Sequence, residues 1–185
     1  MALIEEGIRF AGSPLVFKGA EDVKKFYFAG LVCLAAAAVF FAFRPQLYLI
    51  VRDESGRVRY AAKVDEGQQF TVRFVHSVAL RPVDEIYTVR PDGIQVTATD
   101  YDMTGAGLPA EPLPGQKFEI SNGKFHITGF TTVLKTLTYR VARVVANHRF
   151  IMNGAEHRLS EWGNPGRPVT FSVIRTSPLF IWRGF

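Results

Sequence analysis

His76 and Ser77 close one alternating apolar segment, and Asp84 and Glu85 open the next. An imidazole base, a hydroxyl nucleophile and an orienting carboxylate are the parts of nucleophilic hydrolysis, which also needs donors for an oxyanion. Adjacent residues of a strand point to opposite faces, so His76 and Ser77 at a strand end do not share a proton. The pattern therefore predicts no catalytic residue. It leaves two readings: a hairpin end in which His76, Ser77 and a carboxylate satisfy backbone groups, or a polar contact site for a ligand or partner.

A second candidate is Thr104-Gly105-Ala106-Gly107-Leu108-Pro109. Glycines at 105 and 107 permit a tight turn and a close approach by a ligand or a neighbouring protein. The loop lacks the further glycine and the lysine of a phosphate-binding loop. Asp100 and Asp102, with Glu111 beyond a turn, offer oxygen ligands for a hard cation, yet the stretch lacks the Asp-rich spacing of calcium loops. His126, His148 and His157 show no metal spacing, and one cysteine supplies no thiolate cluster or disulfide framework. No metal and no cofactor is expected.

These residues need elements to hold them. With 185 residues, 48% hydrophobic and 21% charged, the chain suits one folded domain plus at most one membrane segment. Short alternating segments begin at Gln46 and predict strands over 47–52, 57–64, 69–76, 84–90 and 94–100, joined as a meander. Hairpins are expected to turn at Ser121-Asn122-Gly123 and Asn153-Gly154, with a last strand over 170–174. Residues 131–146 fit either a strand or a helical stripe of Val133, Leu134, Leu137, Val141, Val144 and Val145, and strand is preferred. The fold class is mainly β: one N-terminal transmembrane helix, then a small antiparallel β-sandwich or partly open β-barrel over 46–185.

Phe26 to Phe43 is a run of eighteen residues without charge or proline, about 27 Å as a helix. Lys24, Lys25 and Arg44 flank it, aromatic residues crowd both ends, and no polar stripe marks it as a soluble core helix. A cleaved signal peptide is the rival, but apolar residues continue past the Ala35–Ala38 run, and an uncleaved anchor over 26–44 is expected. The paired lysines place a tail, residues 1–25, in the cytoplasm and the β-domain outside it, at the bacterial inner membrane. Ala29, Cys33 and Ala37 recur every four residues and would let another helix pack closely; alanine-rich filler is the alternative.

Net charge is +5, with eight basic and two acidic residues from Lys135 to Phe185. No nucleic-acid motif accompanies the excess, so an acidic partner surface or the lipid bilayer fits Arg140, Arg143 and Arg149 better than nucleic acid, and a plain solvated face is the alternative. Trp162, Trp182 and the apolar ending Pro178–Trp182 either complete the core or dock on another subunit.

Val75-His76-Ser77-Val78, Pro82-Val83-Asp84-Glu85 and Gly105-Ala106-Gly107-Leu108-Pro109 together resemble an uncharacterised family of small bacterial proteins. Its members are associated with TAXI-type tripartite ATP-independent periplasmic (TRAP) transporters. The resemblance covers about residues 46–175. Ala79 stands where the family pattern usually places an acidic residue, so a role needing that carboxylate does not carry over, while Glu85 remains on the returning strand. The resemblance implies association with a transporter and not a reaction; one spanning segment, a small-residue face, a short tether and no coherent active site make a non-enzymatic accessory subunit the expected role. Its helix would pack on the transporter membrane subunit, and its domain would stabilise the complex or contact the TAXI-type substrate-binding protein. His76, Ser77, Glu85, Gly105, Gly107, Leu108 and Pro109 are the expected contact residues. The competing class is a membrane-tethered periplasmic enzyme or ligand binder using His76, Ser77 and Glu85.

Overall fold

The computed structural model describes residues 20–105 and 107–181. Residues 1–19 of the expected tail, Ala106 and Trp182 lie outside them. The chain divides into a helical unit up to Phe41 and a β unit over Ala42–Phe185.

Helix α1 spans Ala20–Phe43, so it starts inside the stretch expected as tail. Its segment Val23–Phe43, 21 residues, is long and apolar enough to cross a membrane, as an anchor or a signal sequence. Every side chain from Lys24 to Phe41 is exposed, Ala29, Cys33 and Ala37 among them. A helix that is apolar all round has no stripe to bury in a soluble core.

The β unit is an antiparallel sandwich. A four-stranded sheet runs β2 (Val58–Val64), β1 (Gln46–Arg52), β12 (Pro168–Thr176), β9 (Thr136–Arg140). The larger sheet runs β11 (Ala155–Arg158), β10 (Arg149–Met152), β3 (Gln69–Val75), β4 (Pro82–Arg90), β5 (Gly93–Tyr101), β7 (Lys124–Thr128), β6 (Lys117–Ser121), with β8 (Val133–Leu134) also on β5. Alternate residues of each strand meet between the sheets: Leu47, Leu49 and Val51 from β1 and Phe171 from β12 face Phe70, Val72, Tyr87 and Phe150. Phe70 stacks on Tyr87 and Phe171 at centroid distances of 5.2 and 6.0 Å. At 25 cal/mol per Å² such fully buried aromatic rings are the largest single contributors to the core.

Both predicted Asn-Gly hairpins form, with Asn122 and Gly123 at φ of 51° and 73° and Asn153 and Gly154 at 51° and 79°. Two left-handed residues in succession make the turn whose twist matches the flanking strands. Two expectations need correction, while the preferred strand reading of 131–146 holds as far as Arg140. The five early strands do not form one meander, because the turn at Asp65–Gln68 docks on β4 through Gly67 N–H to the Val89 carbonyl, 2.9 Å, and starts a second sheet. The third strand ends at Val75, which leaves His76 in the following turn. Within 131–146 the helical stripe is not used. Leu137 faces the core opposite Phe171 while Thr136 and Thr138 point out, giving β9, and residues after Arg140 are irregular.

The registers give the sandwich two ends. Gln46, Val64, Gln69 and Thr176 lie at the near end, where the chain leaves α1. Arg52, Val75, Pro82, Arg140, Arg158 and Pro168 lie at the far end.

Candidate functional site

The β3–β4 turn occupies the far end. His76 N–H donates to the Arg81 carbonyl, and Leu80 N–H to the His76 carbonyl, both at 2.8 Å. The imidazole closes the turn from inside: its Nδ1 accepts the Ala79 N–H at 3.1 Å and the Val78 N–H at 3.4 Å. Accepting at Nδ1 requires that nitrogen to be unprotonated. Leu80 sits at φ 54°, a strained conformation for a residue other than glycine. Arg81 anchors the turn with a two-pronged ion pair to Asp102, and that hydrogen bond holds the Asp102 carboxyl below its ordinary range. The product is a loop closed by these bonds that lifts Val78 and Leu80, 71% and 63% exposed, into solvent. Ser77 is exposed beside them.

Glu85 is elsewhere. It pairs with Val72 across the ladder, so His76 lies four residues, about 13 Å, farther along. Its side chain faces between the sheets, where Tyr87 O–H donates to Oε2 at 3.0 Å and Tyr139 O–H donates to the same oxygen. The two phenol oxygens are 2.6 Å apart. Tyr87 comes from the larger sheet and Tyr139 from the smaller, so this carboxylate ties the sheets together. Burial, and next the Glu85 charge, push both phenols above their ordinary value and keep them protonated. His148 packs on the rings of Tyr139 and Phe74 at 5.2 and 5.3 Å. Its Nδ1 is buried without a hydrogen-bond partner, and burial lowers its pKa, so the ring is held neutral.

The glycine loop is a turn closed by Leu108 N–H to the Gly105 carbonyl at 3.0 Å, with Gly105 and Gly107 at φ of 96° and 93°. Leu108 packs onto a small second core of Val83, Tyr101 and Ile127, and the Pro109 carbonyl accepts the Tyr101 hydroxyl. These residues cover the end of the core.

The structure thus groups Leu108 and Pro109 with Tyr101, and Glu85 with two tyrosines, but does not bring His76 to Glu85. Asp100 and Asp102 also part company: Asp100 bonds His126 Nδ1 while Asp102 bonds Arg81. Among the described residues no group of three or more His, Cys, Asp or Glu side chains is placed to hold a metal ion. Asp100 and His126 belong to a feature that sequence reading missed. On the outer face of the larger sheet one register row crosses seven of the eight strands as Arg158, Arg149, Arg73, Asp84, Asp100, His126 and Glu119. The alternation of each strand was visible, but the strand order that aligns them was not. Tyr139 was hidden in the stretch that fitted two element types, and His148, read only for metal spacing, lies just beyond it.

Residues 70–159 match the model of a family described as a domain of unknown function, DUF1850. No curated protein and no solved structure matches. The DUF1850 region runs from the second residue of β3 to the end of β11. It therefore contains nearly all of the larger sheet, the His76 turn, the Glu85–Tyr139 tie and the glycine loop, and leaves out β1, β2 and β12 of the smaller sheet.

Proposed function

We propose that this chain is a non-enzymatic accessory subunit of a TAXI-type TRAP secondary transporter. In this reading α1 anchors it in the bacterial inner membrane with its N-terminus in the cytoplasm, and the β-domain stands in the periplasm. The helix packs on the transporter membrane subunit through the Ala29, Cys33 and Ala37 face. The domain stabilises the complex or contacts the substrate-binding protein. The transporter assignment is supported by the motif resemblance. One observation carries the accessory role: the His76 Nδ1 is spent on backbone N–H groups of a turn that displays Val78 and Leu80 to solvent.

A lone helix gives no polar path across a bilayer, so any conduit belongs to another subunit. Purification of the tagged full-length chain from native membranes in mild detergent, with identification of its companions, tests the reading. Transporter subunits in stable ratio are expected; a chain recovered alone refutes it. A second reading, a tethered enzyme or ligand binder, is favoured by His126, whose Nδ1 is held by Asp100 beside an open groove of about 490 Å³ on the outer sheet face. It predicts a turnover or a ligand lost in His126→Ala with assembly intact.

A further inference from the structure

The fold concentrates the positive charge of the last third at the far end of the sandwich. The β9–β10 and β11–β12 connections both lie there, joined by Val141 N–H to the Arg167 carbonyl and Gly166 N–H to the Val141 carbonyl, each 2.8 Å, and by Leu159 N–H to the His148 carbonyl, 2.9 Å. Residues 140–149 and 158–167 hold five arginines and one acidic residue, and the β1–β2 turn brings Glu54 to one flank, where it accepts from Asn164 at 2.9 Å. Arg149 is paired with Glu156. Arg140, Arg143, Arg158 and Arg167 are exposed, and among the described residues none of the four pairs with a carboxylate.

Two of the four are held in place. Arg140 donates to the Gly166 carbonyl at 2.8 Å. Arg143 lies over Gly166 so closely that a Cβ there would meet its Nε at 2.5 Å. Between the arginines Val144 is 88% exposed and Val145 is exposed as well. The patch continues into the His76 turn through Val75 N–H to the Ala146 carbonyl, 2.9 Å. Adjacent valines offered to water on a connection whose exposed arginines pair with no carboxylate gain nothing within the domain. An apolar centre with a charged rim is the anatomy of a protein interface.

We propose that this end is a docking surface for a protein whose contact patch is acidic at its rim and apolar at its centre. Charge complementarity selects the acidic rim. Anionic headgroups share the charge preference of the arginines, and a lipid adduct is one outcome of the crosslinking test. The occupant proposed is a protein, because the exposed Val144 and Val145 give the patch the apolar centre that a protein contact surface matches. The inference rests on the reading that the far end is a contact surface, and not on the transporter assignment.

The test places a photo-crosslinking residue at Val145 of the full-length chain in its native membranes. The expected adduct is a protein joined through an acidic segment. Its yield falls about tenfold in Arg143→Glu/Arg158→Glu and falls as ionic strength rises. Val144→Asp, at a side chain too exposed to support the core, lowers it likewise. A crosslinker at Leu113, an exposed apolar residue of another loop, does not capture that protein. An adduct with lipid, no adduct, or a yield indifferent to these variants overturns the proposal. A charge-dependent acidic partner that is no transporter subunit preserves it and removes the transporter reading. Transporter subunits that co-purify while Val145 gives no adduct do the reverse.

Discussion

Glu85→Ala removes the acceptor of two phenol hydrogen bonds that join the sheets. A hydrogen bond to a charged group contributes about 1.5–3 kcal/mol, and two would sum to about 3–6. Two effects reduce that sum. The Tyr87–Tyr139 contact survives the substitution, and the carboxylate no longer has to be desolvated between the sheets. A net loss of about 2–4 kcal/mol is expected, a large share of the stability of a domain of this size. Tyr139→Phe removes one of the two donors and should cost about 1–2 kcal/mol. The double variant should then lose less than the sum of the two, with a coupling of about 1–2 kcal/mol. Urea unfolding of the full-length chain in detergent, followed by the fluorescence of buried Trp162, measures all three. A Glu85→Ala variant within about 0.5 kcal/mol of wild type, or strictly additive costs, would refute the tie between the sheets.

Three further outcomes follow from the geometry. Burial lowers the His148 pKa below its ordinary 6.5, so the stability this ring contributes is complete above pH 6.5 and is lost as the pH falls below it, where the unfolded chain takes up the proton first. His148→Phe, which also removes the unpartnered Nδ1, should flatten the thermal stability between pH 7 and 5 relative to wild type; parallel curves count against it. His76→Ala leaves two turn N–H groups without their acceptor and should cost about 1–2 kcal/mol, with His76→Asn recovering part of it; equal losses in both would show that the Nδ1 acceptor is not what matters. A Cβ at Gly93 would stand 2.3 Å from the Leu134 carbonyl oxygen, so Gly93→Ala should cost at least about 2 kcal/mol and raise hydrogen exchange in β8, whereas unchanged protection would mean the strands part without strain.

Much of the architecture was legible because strand alternation and Asn-Gly turns are local signals. The apolar run announced α1, and the two hairpins formed where their turn chemistry required. Sheet membership was not legible. Whether β3 continues the first sheet or opens a second depends on where the Asp65–Gln68 turn docks, a contact with Val89 more than twenty residues away. The same non-local ordering decides the chemistry. His76 and Glu85 are close in sequence on opposite arms of a hairpin, but the strand direction carries one to the far end and the pleat turns the other inward to meet Tyr139 from the other sheet. Likewise the five arginines of residues 140–167 are spread over 28 positions. Only the meeting of two connections at one end turns that compositional excess into a patch.

If the far end of this domain works by contact, it does so through the side chains that its turn holds in solvent. Val78→Asp/Leu80→Asp alters only side chains that are already in solvent, so folding should be unchanged within about 0.5 kcal/mol. Quantitative mass spectrometry of complexes purified from native membranes should then show the companions lost or reduced about tenfold, while the variant is present at wild-type level and unfolds as wild type does. Companions retained in full by a normally folded variant would contradict the account.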